Sequence, residues 1–253
     1  GEQAGAGFEG TTSADLSIPF LSILQSNSPQ VEDKDPAGAE SGMLFNTVTR
    51  ELFSGSEGLV FMPCHKDTAF VEWVPRDGGG GFVDMHDPAG EIVAKAIKAN
   101  DDSRMGKLKT GDNDLVETHY VYGLVMDATG TSTLGFAVIS FVSTKIKPQR
   151  DWFTAMYTLK GKPPLFANRA RITTVKQKND HGSFFNFRID PIGDTWLGSL
   201  LNPGDPAQAA LLVEGAEFRE MVVSGMAKAD FNTQNAAAGA SGDNDTIGGE
   251  APF

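Results

Sequence analysis

Between Lys145 and Arg188 the chain sets ten lysines and arginines among seven aromatic rings, opposed only by Asp151 and Asp180. This pairing of residue types suits an unpaired polynucleotide. Cations meet the phosphates, and flat rings stack on exposed bases at roughly 1–3 kcal/mol per base. Every base has a π face, so such a surface binds with little sequence preference. The expected phosphate contacts are Lys145, Lys147, Arg150, Lys160, Lys162, Arg169, Arg171, Lys176 and Lys178. Trp152 and Tyr157 are the expected stacking rings, together with one or more of Phe184, Phe185 and Phe187. The segment carries +8 in a chain whose net charge is −12, and both flanks are acidic. The sum alone argues against a nucleic-acid partner, but the distribution argues for one.

Other chemistries find weaker footing. Asp84, His86 and Asp87 offer metal-ligating side chains, and Asp101, Asp102, Asp112 and Asp114 add carboxylates, but the spacing matches neither a calcium loop nor a zinc site. Cys64 precedes His65, an adjacency that does not by itself set a base against a thiol. Gly78 to Gly81 lacks the Lys-Ser/Thr of a phosphate-binding loop. The expectation is a non-enzyme without metal or cofactor. The single cysteine allows no internal disulfide, which suits a reducing, cytoplasmic compartment. No apolar run approaches the ~18 residues of a membrane helix, so no membrane partner is expected.

The elements that must position these residues are mostly strands. Gly42 to Val48, Gly58 to Pro63 and Thr68 to Val74 read as short strands separated by turn residues. Thr118 to Met126 and Thr133 to Ser143 form a hairpin about Asp127-Ala-Thr-Gly130, and Asn168 to Val175 with Ser183 to Ile189 form another. Strand alternation puts Arg169 and Arg171 on one side and Ile172 on the other, which predicts exposed arginines and a packed isoleucine. By the same rule Phe185 and Phe187 share one face, and Phe184 and Arg188 the other. Residues 76–117 read as an inserted excursion with a helical stretch from Glu91 to Ala99. Asp205-Pro206 opens a helix expected to run over about 206–228. Residues 1–16 read as a mobile N-terminus, 17–229 as one β-rich domain and 230–253 as a disordered acidic tail. Strands at this spacing suit a small barrel or a sandwich, and the oligonucleotide-binding barrel is one member of that set.

The tail carries Asp230, Asp243, Asp245 and Glu250 without a cation and ends Ala251-Pro252-Phe253. Such a peptide offers its terminal ring and carboxylate to a partner's pocket, or folds back on its own basic surface. Together, the basic-aromatic β region and this tail resemble single-stranded DNA-binding proteins, especially the acidic ones encoded by bacteriophages. Bacterial members similarly finish with acidic residues and Pro-Phe. The run from Pro164 to Gly182 (PLFANRARITTVKQKNDHG) also resembles a strand-turn-strand of phage proteins of this kind. The resemblance implies a mainly β, OB-like fold that binds single-stranded DNA during replication or recombination. It also implies a replicative polymerase or helicase as partner through Asp243, Asp245, Glu250, Pro252 and Phe253, and leaves room for a homo-oligomer. The alternative is a phage structural or adaptor protein with a β-rich assembly domain; a metal-dependent enzyme is the weaker rival.

Overall fold

The computed structural model describes residues 17–104, 108–180 and 182–229. The expectation of a mainly β chain with a C-terminal helix holds. Two very long strands form its spine, β5 (Leu59–Val74) and β8 (Asn113–Met126), paired antiparallel from Val60↔Met126 to Trp73↔Asp114. At 16 and 14 residues they far exceed the common length of about 5–6. Each outer edge of this ribbon is covered by two strands in succession. On the β5 side these are β10 (Ala170–Asn179) and then β6 (Gly81–His86). On the β8 side they are β9 (Thr133–Val142) and then β7 (Leu108–Thr110). β11 (Gly182–Pro191) pairs with β10 to complete seven strands. Among the described residues the pairing leaves this sheet open, with no closed barrel.

Strand periodicity explains why the ribbon is buried on both faces. Val60, Met62, Tyr120, Tyr122, Leu124 and Met126 point to one side, where helix α4 (Pro206–Val223) brings Leu211 and Phe218. Leu59, Phe61, Val121 and Val125 point to the other. There they meet Trp152 and Met156 of helix α3 (Ile146–Tyr157) and Leu21, Ile23 and Leu44 of a small sheet. That sheet is β2 (Leu21–Ile23), β3 (Leu44–Asn46) and β4 (Leu52–Phe53). Short helix α1 (Pro29–Glu32) links β2 to β3, and β1 (Ser17–Ile18) pairs parallel with β12 (Lys228–Ala229). At the far end, helix α2 (Glu91–Ala99) lays Val93 and Ala96 on Phe70, Leu108 and Leu115. The described residues of 76–117 thus continue the sheet and cover it with α2.

The two strands expected at Gly58 to Pro63 and Thr68 to Val74 are one continuous strand. The register shifts between Pro63 and His65, so the proline sits at a bulge, where its missing N–H disturbs the ladder least. Beyond the bulge the facing parity changes, and Ala69 and Val71 take the side that Val60 and Met62 held. The C-terminal helix starts as expected: Asp205 Oδ1 accepts from the N–H groups of Ala207 and Gln208, with Pro206 in the first turn. It ends at Val223, short of the expected 228, because Gly225 adopts φ +74 just past the cap. In the hairpin expected from Asn168, both strands run further than their sequence suggests, to Asn179 and from Gly182.

Gly123 faces Pro63 at the bulge, and a Cβ there would lie 2.3 Å from the Met62 carbonyl oxygen and 2.6 Å from the Phe61 ring. Gly123→Ala is therefore expected to lower unfolding stability by about 2 kcal/mol or more, read as a lower urea midpoint. An unchanged midpoint would mean that the ribbon does not need this close approach.

Candidate nucleic-acid interface

The basic segment folds into helix α3, a lysine-rich loop and the β10–β11 hairpin. Helical spacing sorts the residues of α3. Gln149, Trp152 and Met156 are buried, while Lys147, Arg150, Thr154 and Tyr157 form an exposed stripe at i, i+3, i+7 and i+10. Pro148 is tolerated because it lies in the first turn, where an N–H has no intrahelical acceptor. His119 anchors the inner face: its Nδ1 lies 2.7 Å from Gln149 Oε1 and its Nε2 3.1 Å from Glu117 Oε1. That hydrogen bond holds the Glu117 carboxyl below its usual pKa.

The exposed cations fall into two sets. Lys147 pairs with Asp151 at 2.8 Å, and Arg188 with Asp190 at 2.8 Å, so each is locally neutralised. Arg150, Lys160, Lys176 and Lys178 are exposed and make no ion pair among the described residues. Lys162 places its Nζ 4.8 Å from the centroid of the Tyr157 ring, a cation–π contact that leaves its charge uncompensated. Tyr157 is 69% exposed, the most open aromatic of the segment. Lys145 is half-buried at the start of α3. A 12-residue helix spans about 18 Å, so the two ends of α3 bracket a path of that length.

Several residues expected in this surface are structural. Arg169 is only 7% exposed, not a free cation; its Nη1 donates to the Gly130 carbonyl at 2.7 Å and its Nε to Ser199 O at 3.4 Å. Arg171 is half-buried and donates to the Ala128 carbonyl at 2.9 Å. Both arginines fasten β10 to the turn between β8 and β9, whose carbonyls have no strand partner. The packing of Ile172 is as expected. Trp152, 2% exposed, lies in the core against Phe153 and is unavailable for stacking on a base. Phe187, 3% exposed, packs on Phe141. The Phe185 ring covers Gly42, and its backbone N–H and C=O both bond to the Gln25 side chain. The face shared by Phe185 and Phe187 is thus the core face. Asp243, Asp245, Glu250, Pro252 and Phe253 lie outside the described residues.

A groove of about 660 Å³ runs between α3 and β11, lined by Lys147, Asp151, Gln177, Asn186, Arg188 and Trp196 among others. Trp196 falls beyond the basic segment in a turn without periodicity, so only the fold brings it to the site. Among the described residues no cluster of His, Cys, Asp or Glu has the makings of a metal site. His86 is instead paired with Glu72 at 2.7 Å, and burial pushes the Cys64 thiol up to about 12. No described helix is long and apolar enough to cross a membrane.

Arg169→Met is expected to lower stability by roughly 2–4 kcal/mol, since it leaves buried carbonyls without a charged donor. Lys178→Ala is expected to change it by less than about 0.5 kcal/mol. Equal urea midpoints for the two variants would contradict this division of the cations.

No curated protein and no solved structure matches the chain. The family model described as Pam3 phage gp34-like protein matches residues 1–228, which takes in every described element except the last residue of β12. By that match, the chain belongs to the Pam3 phage gp34-like protein family, a family of phage proteins.

Proposed function

We propose that this phage protein binds single-stranded DNA with little sequence specificity during replication or recombination, without catalysing a reaction. The observation that carries the reading is the set of exposed cations Arg150, Lys160, Lys162, Lys176 and Lys178 on α3, the loop after it and the β10–β11 hairpin, with Lys162 over the open ring of Tyr157, in a chain of net charge −12. A surface that served only solubility would gain nothing from concentrating cations around an exposed aromatic. The groove between α3 and β11 adds a second aromatic, Trp196. In this reading the acidic tail contacts a replicative polymerase or helicase through Asp243, Asp245, Glu250, Pro252 and Phe253.

A structural or adaptor role is the second reading. It is favoured by apolar side chains left in solvent: Leu134 and Phe136 on β9 and Val213 on α4. Thr133 hydrogen-bonds Glu214 at 2.9 Å, which joins the two elements there. One experiment separates the readings. Fluorescence anisotropy of labelled oligo-dT is titrated with the full chain at several salt concentrations. Five released counterions predict a log–log slope near −3 to −4, from ~0.7 per neutralised phosphate on a single strand. No binding at low salt, or binding without a salt slope, would leave the adaptor reading standing instead.

A further inference from the structure

The groove between α3 and β11 has a fixed hydrogen-bonding polarity. Asn186 is 1% exposed, and its Oδ1 accepts from the Phe187 backbone N–H at 2.8 Å. A backbone N–H can only donate, so the oxygen and nitrogen of this amide are determined. Its Nδ2 accordingly donates to the Thr144 carbonyl at 3.2 Å and to Gln177 Oε1 at 3.0 Å. That contact occupies the oxygen of Gln177 and leaves its Nε2, with two N–H donors, as the polar end available to the groove. Gln177 is itself exposed and lines the groove with Trp196.

The charge of the groove is balanced. Lys147 is held by Asp151 and Arg188 by Asp190, while the exposed cations Arg150, Lys176 and Lys178 do not line the groove. A near-neutral cleft with an indole and a fixed amide donor suits an uncharged flat ring better than a phosphate. Its volume, about 660 Å³, lies within the ~300–1,000 Å³ of clefts that hold small ligands.

We infer that this groove is a nucleobase pocket that favours bases carrying a carbonyl oxygen. The base stacks on Trp196, Gln177 Nε2 donates to the base carbonyl, and the neighbouring phosphates lie on the cations outside. Thymine presents two such oxygens and adenine none, so the pocket adds a base preference to an otherwise sequence-tolerant surface. The inference rests on the single-strand reading above and names the part of the ligand that this groove takes.

The test compares affinities of the full chain for oligo-dT and oligo-dA of equal length at one salt concentration, in wild type, Gln177→Leu and Trp196→Ala. Oligo-dA stacks on itself, so the informative quantity is the dT:dA affinity ratio of wild type divided by that of Gln177→Leu. This quotient is expected to be roughly fivefold, the worth of one net hydrogen bond. Trp196→Ala is expected to weaken both oligomers, by roughly tenfold or more, through lost stacking. A quotient of one, with Trp196→Ala at wild-type affinity, overturns the pocket while leaving the single-strand reading intact. Failure of wild type to bind either oligomer overturns both. Gln177→Leu also takes an acceptor from the buried Asn186 amide, so a somewhat lower urea midpoint is expected, and the affinities are compared in the absence of denaturant, where circular dichroism shows both chains folded.

Discussion

The rest of the structure depends on the double burial of the β5–β8 ribbon. Over Leu59–Cys64 and Tyr120–Met126 the strand pair is apolar on both sides, so neither face can be left in water there. One face is covered by α4 and the other by α3 with the small sheet, so the helices are placed by the demands of the sheet. That is why α3, in the middle of the basic segment, turns Trp152 and Met156 inward and its cations outward. The candidate interface is the solvent side of a helix whose other side closes the core.

The same demand divides the arginines from the lysines. The turn between β8 and β9 presents backbone carbonyls that no strand satisfies, and Arg169 and Arg171 reach two of them. A guanidinium can hold several acceptors at once in a fixed fork, which suits this bracing role. Lysines carry a compact, strongly hydrated charge, and Lys160, Lys162, Lys176 and Lys178 all stay at the surface. The +8 of the segment is therefore not +8 of binding surface. Two cations brace a turn and two more are matched by neighbouring carboxylates.

Much of this organisation was legible in the sequence. The hairpin of Thr118–Met126 with Thr133–Ser143 follows from alternation, the α2 span from its apolar spacing, and the α4 start from Asp205-Pro206. The continuity of β5 was hidden because Pro63 looks like a terminator, and only the facing Gly123 makes room for a bulge there. Helix α3 was hidden by Pro148 and by aromatic residues that read as binding rings. Alternation showed that Phe185 and Phe187 share a face but not that this face is the core, because a hairpin seen alone has no inside. Arg169 reads as exposed for a related reason: its acceptors lie 30 and 39 residues away in the chain. That Trp196 lines one groove with Gln177 and Asn186 is likewise a product of the tertiary fold, with no local signal.

The central claim is that the outer side of α3 and the tip of the β10–β11 hairpin meet the nucleic acid, while the opposite face with α4 does not. Backbone hydrogen–deuterium exchange of the full chain, with and without saturating oligo-dT, tests this most directly. Slower exchange confined to residues 145–162 and 174–188 is the predicted result. Protection centred on β9 and α4, or no protection anywhere, would contradict it.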